Sequence, residues 1–135
     1  MRRRALVFGL ALVAAIASGG CGGGGPSGRA LEVRMRYSKY QPGSLVVKAG
    51  STVDFTLVNA DPIEHEFIIG TLFEQQKHEA GDPHDPHTGP GEKLLAPNKT
   101  EHLRFTFSKP GTLQYACHRP GHYRFGMFGT ITVET

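Results

Sequence analysis

Apolar and polar side chains alternate with a period of two along much of the chain. In residues 31–37, Leu31, Val33, Met35 and Tyr37 share one face, and Glu32, Arg34 and Arg36 share the other. Residues 52–58 set Val53, Phe55 and Leu57 against Thr52, Asp54 and Thr56, and residues 101–107 repeat this with Leu103, Phe105 and Phe107. The chain closes on Ile131 and Val133 within 129–134. Such alternation is the mark of half-buried strands. Residues 44–50, 65–70 and 111–117 add three more, the last after a turn at Lys109, Pro110 and Gly111. About seven short strands joined by Gly/Pro turns predict an all-β, antiparallel sandwich. Residues 71–80 break the rhythm with weak helical character, and a Pro/Gly-rich loop follows. Residues 71–93 therefore read as a helix and loop insertion. There is no internal repeat.

The first twenty residues follow a different grammar. Arg2, Arg3 and Arg4 precede an apolar run, residues 5–17. That run is too short for a bilayer span, which needs about 20 apolar residues. It has the form of an export signal. The "IASGGC" that ends it resembles a bacterial lipoprotein processing box, which makes Cys21 the candidate lipidated first residue. Ser18 stands where such boxes usually carry Leu. Residues 21–30 then form a Gly-rich tether, and the domain proper runs over 31–135. The chain is expected to be exported and anchored to a bacterial membrane, facing the periplasm or the cell exterior.

Charge excludes one class of partner. The formal net charge of +3 comes from fifteen basic and twelve acidic residues. Without Arg2, Arg3 and Arg4, twelve basic residues face twelve acidic ones, so the mature chain is near neutral with no basic block and no nucleic-acid signature. Of two cysteines, only Cys117 lies in the domain. A disulfide to Cys21 is conceivable if Cys21 is unmodified, but a thiol flanked by ligand-type residues has a better use.

Those residues follow at once. "ACHRPGHYRFGMFGT", residues 116–130, holds Cys117, His118, His122 and Met127. Cys117 is in phase with Leu113 and Tyr115 and so points inward. Pro120 and Gly121 can turn the chain to bring His122 back to it. Thiolate, imidazole and thioether together favour copper, and a Cys with two His and a weak axial Met is the blue-copper arrangement. The second imidazole must come from elsewhere. His65, in phase with inward Phe67 and Ile69, is best placed. His118 alternates away from Cys117 and reads as an exposed rim histidine. Met35 reads as core packing and His102 as a solvated strand residue.

The C-x4-H-x4-M spacing of "CHRPGHYRFGM" resembles the cupredoxins. Its Pro-Gly-His step is similar to azurin, its His-to-Met spacing to plastocyanin, and auracyanin-type proteins combine both. "IEHEFIIG" and "KPGTLQYACHRPGHYRFGMFGTITV" strengthen the likeness, which spans about residues 31–135. The resemblance implies a Greek-key β-sandwich and one mononuclear type 1 copper held by His65, Cys117, His122 and Met127. It further implies an exposed edge on the C-terminal His as electron port, with Phe125 in an apolar patch beside Tyr123 and Phe128. Azurins and plastocyanins typically carry Asn after the first His ligand, where Glu66 stands here. Asn59 is the candidate to replace its role.

Two functions are compatible with this reading. One is a membrane-tethered, monomeric electron carrier serving redox proteins at the membrane surface. The other is a lipoprotein that delivers or sequesters copper, for which His78, His84 and His87, with Asp82 and Asp85, form a candidate second site in the loop. A mobile polar loop is the plainer reading of those residues, because ordering it costs entropy. An enzyme is not expected, since multicopper oxidases and nitrite reductases need further His-x-His clusters and more than one domain.

Overall fold

The structure, a computed structural model, describes residues 28–81 and 89–135. The signal and tether through residue 27, with Cys21, and the loop residues His84, His87, Asp82 and Asp85 lie outside the described residues. Nine strands and one helix follow in order: β1 Arg29–Arg36, β2 Lys39–Gln41, β3 Ser44–Lys48, β4 Thr52–Asn59, β5 His65–Gly70, α1 Leu72–Glu79, β6 Glu92–Leu95, β7 Thr100–Thr106, β8 Gly111–Ala116 and β9 Phe128–Glu134. They form two sheets, in the orders β2-β1-β4-β7 and β3-β9-β8-β5-β6. This is the cupredoxin-like sandwich with its short helical insertion.

The sheets are mixed, not wholly antiparallel as the alternation suggested. β1 pairs with β4 and β3 with β9 in parallel. The chain leaves the first sheet after β2, lays β3 in the second, and returns to the first as β4. Parallel neighbours need such a crossover between them, whereas a tight hairpin joins only antiparallel strands.

The alternating positions fill the space between the sheets. Val33, Met35, Phe55, Leu57, Phe67, Tyr115, Ile131 and Val133 belong to one buried cluster. Tyr37 does not join them. β1 ends at Arg36, and Tyr37 and Ser38 turn with φ of 55° and 52°, which leaves Tyr37 76% exposed. Two strands went unforeseen. β2 is three residues long, too short to show a period, and β6 begins at the end of the expected loop and pairs along β5 with His65 opposite Leu95.

Strand β5 is buried at every position. One face meets the sandwich core. Helix α1 packs against β5 and β8. Thr71 caps α1 in a capping box with Glu74, which satisfies end groups that a short helix otherwise leaves unpaired. The helix is fixed by a polar anchor: buried Gln75 donates to the carbonyls of Ile68 (2.8 Å) and Gln114 (3.2 Å), while Leu72 and Phe73 face solvent. That explains its weak apolar signature.

Close packing sets one sharp sequence requirement. The Tyr115 ring stacks on Phe67 at 5.3 Å between centroids and lies across the backbone of Gly129. A Cβ at Gly129 would meet the ring at 2.1 Å. Gly129→Ala is therefore expected to cost about 1–3 kcal/mol through overpacking, read as a lower urea midpoint. An unchanged midpoint would contradict this placement of the ring.

Candidate metal centre

The register of β5 on β8 brings the site together. Ile68 lies opposite Ala116 and Ile69 opposite Tyr115. One step further along this register, Cys117 leaves the end of β8 beside the start of β5. The backbone N–H of Glu66 donates to Cys117 Sγ at 3.3 Å, and His65 stands at the head of β5. From Cys117 the chain runs through a compact loop. Backbone N–H groups of His122, Phe125, Gly126 and Met127 donate to Arg119, Gly121, Tyr123 and His122 carbonyls, and Cys117 N–H donates to Met127 O at 3.2 Å. Gly121 and Gly126, both with φ of 86°, make the turns, a conformation glycine adopts without a Cβ penalty.

The result is a convergence of donors. Cys117 Sγ lies 3.3 Å from His122 Nδ1 and 3.9 Å from His65 Nδ1, and the two Nδ1 atoms are 3.3 Å apart. All three atoms lie within 4.8 Å of one another. His65 and Cys117 are fully buried, whereas His122 is partly exposed. Met127 is fully buried and its N–H donates to His122 O at 2.9 Å, so its backbone is tied to both neighbouring predicted ligands. One thiol and two imidazole nitrogens aimed at a common point are a donor set suited to copper.

Burial sets the protonation of these groups. It pushes the Cys117 thiol up to about 11, against a smaller lowering by the Glu66 N–H. Burial, and then the neighbouring His65, holds the His122 imidazole below the usual histidine range. At neutral pH the site thus offers a neutral imidazole at His122 and a protonated thiol.

The family comparison agrees with this geometry. The family model described as copper binding proteins, plastocyanin/azurin family, matches residues 30–134. The chain belongs to this family. His65, Cys117 and His122 form a convergent group able to hold the one mononuclear copper that this family binds. The chain is 32% identical to a "Copper-resistant cuproprotein CopI" of Rubrivivax gelatinosus, over 71% of this chain and 60% of that protein. It thus spans about three-fifths of that relative. It is 30% identical to the protein of the same name from Pseudomonas aeruginosa, over 78% of this chain and 76% of that one. Among solved structures it resembles reduced auracyanin of Roseiflexus castenholzii, with TM-score 0.68 and 27% identity over 81% of this chain and 99% of that one. Rusticyanin shares the fold at TM-score 0.56 and 23% identity, over 80% of this chain and 81% of that one.

Glu66 ties the segments carrying His65 and Cys117 together. It is buried, and its Oε2 accepts the His118 N–H at 2.9 Å. Arg119 lies near its other oxygen at 3.7 Å and pairs with Glu64 as well. Asn59 has a different task. It shares its amide N–H groups among the carbonyls of Ile63, Leu95 and Ala96, which fastens the loop before His65 to the end of β6.

His118 points away from the Cys117 pocket, as its phase implied, yet it is not an exposed rim residue. Its side chain is 4% exposed. It stands 2.7 Å from Gln75 Oε1 and 3.0 Å from Glu79 Oε2, beneath α1. The helix insertion covers it, and sequence alternation could not reveal that cover. Of the three loop histidines only His78 is described. It pairs with Glu92 at 3.4 Å and stacks on His118 at 5.6 Å between centroids. Tyr123 packs between His118 and Phe128, while Phe125 is 79% exposed.

Two residues around the site carried no periodic signal. Asp61 Oδ2 stands 2.8 Å from His65 Nε2, and Lys39 Nζ donates to the carbonyls of Phe125 (2.6 Å) and Gly126 (3.1 Å). An acidic residue four positions before a ligand histidine was the available hint for the first.

Copper ligation needs the Cys117 thiolate, and the free thiol is protonated at neutral pH, so uptake of copper is expected to release about one proton. Calorimetry at pH 7 in two buffers of different ionisation enthalpy measures this. Uptake without proton release would contradict a protonated, metal-binding thiol.

Proposed function

We propose that this protein is an exported, lipid-anchored type 1 copper protein that carries single electrons at a membrane surface by Cu(I)/Cu(II) cycling. The observation that carries this reading is the asymmetry of the site. His65 and Cys117 are sealed in the sandwich, whereas His122 reaches the surface three residues from exposed Phe125. One ligand edge open within an otherwise dry site gives a redox partner a short approach while water stays out. The donors converge on one point, and the loop that carries two of them is held by backbone hydrogen bonds. A frame of this kind moves little when the charge on copper changes. Met127, beside His122 and Cys117 along the backbone, is the axial ligand in this reading. No substrate-binding position is required, so no enzymatic activity is assigned.

Delivery or storage of copper is the second reading. It is favoured by the relatives whose names describe copper-resistant cuproproteins. The two are separable. Cu(II) added to the purified protein is expected to give an intense thiolate-to-copper charge-transfer band that Cys117→Ser abolishes. Absence of the band would sink both versions of the blue-copper reading. Reversible voltammetry with slow loss of Cu(I) to a chelator supports the carrier. Rapid Cu(I) loss that slows when His84 and His87 are replaced supports delivery.

The anchor is a separate proposal resting on residues 1–21. No helix among the described residues is long and apolar enough to cross a membrane. Expressed in a bacterium, the protein is expected in the membrane fraction with a lipid mass on Cys21, and Cys21→Ser is expected to free it. A soluble wild-type protein lacking that mass would contradict the anchor.

A further inference from the structure

The Asp61 carboxylate stands beside the site and engages three partners. It is 5% exposed. Its Oδ1 accepts the Tyr37 N–H at 2.7 Å, and its Oδ2 accepts the Ser38 N–H at 2.9 Å. Its own N–H donates to Asn59 Oδ1 at 3.0 Å. Tyr37 and Ser38 are consecutive non-glycine residues in the left-handed region, and their conformation turns successive N–H groups onto one carboxylate.

The remaining contact of Asp61 faces the metal centre. Oδ2 meets His65 Nε2 at 2.8 Å, while His65 Nδ1, on the opposite side of the ring, faces Cys117 and His122. Resting on the copper reading above, we propose that Asp61 is a positioning residue of the copper centre. It draws the imidazole proton to Nε2, frees Nδ1 as the ligand atom, and favours Cu(II) over Cu(I) through its charge. An anionic acceptor behind a ligand imidazole fixes the ring's tautomer and orientation and raises its basicity. Both effects favour the more highly charged metal ion. The β1–β2 turn is then part of the centre. Its backbone grips Asp61, and Lys39 next to it donates to the carbonyls of Phe125 and Gly126, just ahead of Met127.

Two measurements test this on the full chain. In the copper-free wild type, long-range 1H–15N NMR is expected to find His65 as the Nε2–H tautomer. A proton on Nδ1 would overturn the proposal. In Asp61→Asn, which is close in shape but uncharged, Cu(II) affinity is expected to fall about 10–100-fold. Cu(I) affinity falls less, so the reduction potential rises. Circular dichroism checks that the variant is folded. A folded variant with wild-type potential and unchanged His65 tautomer would overturn the proposal. If the variant does not fold, the wild-type tautomer decides. That tautomer is read without copper, so failure of the copper reading and failure of the Asp61 assignment give different results.

Discussion

The copper site depends on one register, that of β5 against β8. With Ile68 opposite Ala116, the N–H of Glu66 reaches Cys117 Sγ and its carboxylate reaches the His118 N–H. A slip of one residue would put His65 and Cys117 on opposite faces of the sheet, because side chains alternate across a strand. The surroundings resist that slip. Phe67 and Tyr115 stack across the pair, Gly129 leaves room for the Tyr115 ring, and Gln75 of α1 donates to carbonyls of both strands. Core packing and metal geometry are therefore set by the same pairing. Folding the sandwich brings two ligands 52 residues apart in sequence to 3.9 Å.

The alternating pattern made this legible where a strand is long and covered on one face. Val53, Phe55 and Leu57 are buried as their phase implies, as are His65 and Cys117. The pattern failed where another interaction decides the backbone. Tyr37 continues the alternation of β1 but sits in a turn, because its N–H and that of Ser38 are taken by Asp61. His118 alternates outward correctly, yet the outward side is covered by α1, and that helix is anchored by Gln75 and not by an apolar stripe. β6 carries no alternation of its own, since its place is dictated by pairing to β5.

The same distinction applies within the site. The convergence of Cys117 and His122 was visible because one loop holds them at fixed spacing, and that of His65 because a strand phases it. Asp61, Asn59, Glu66 and Lys39 come from separate segments and meet only after folding. Their chemistry is ordinary for surface residues, so nothing local marks them. Glu66 shows the limit well. A carboxylate in place of the usual amide implied a missing link between the ligand segments, yet a carboxylate oxygen accepts a backbone N–H as an amide oxygen does. The link is kept with a different group.

That substitution changes the electrostatics while preserving the geometry. Two carboxyl side chains, Asp61 and Glu66, flank His65 in sequence, and both are buried and hydrogen-bonded to backbone N–H groups. Asp61 approaches the ring of His65, and Glu66 braces the backbone after Cys117. Arg119 partly balances Glu66, whereas Asp61 is met by backbone dipoles and the His65 ring. Backbone dipoles stabilise an ionised carboxylate without cancelling its charge, and a buried charge is screened far less than one in water. On the proposal made above, the charge of Asp61 therefore acts on the site through the His65 ring. On the proposal made for Asp61, residues outside the convergent group of His65, Cys117 and His122 would thus bias the oxidation state of a metal held there.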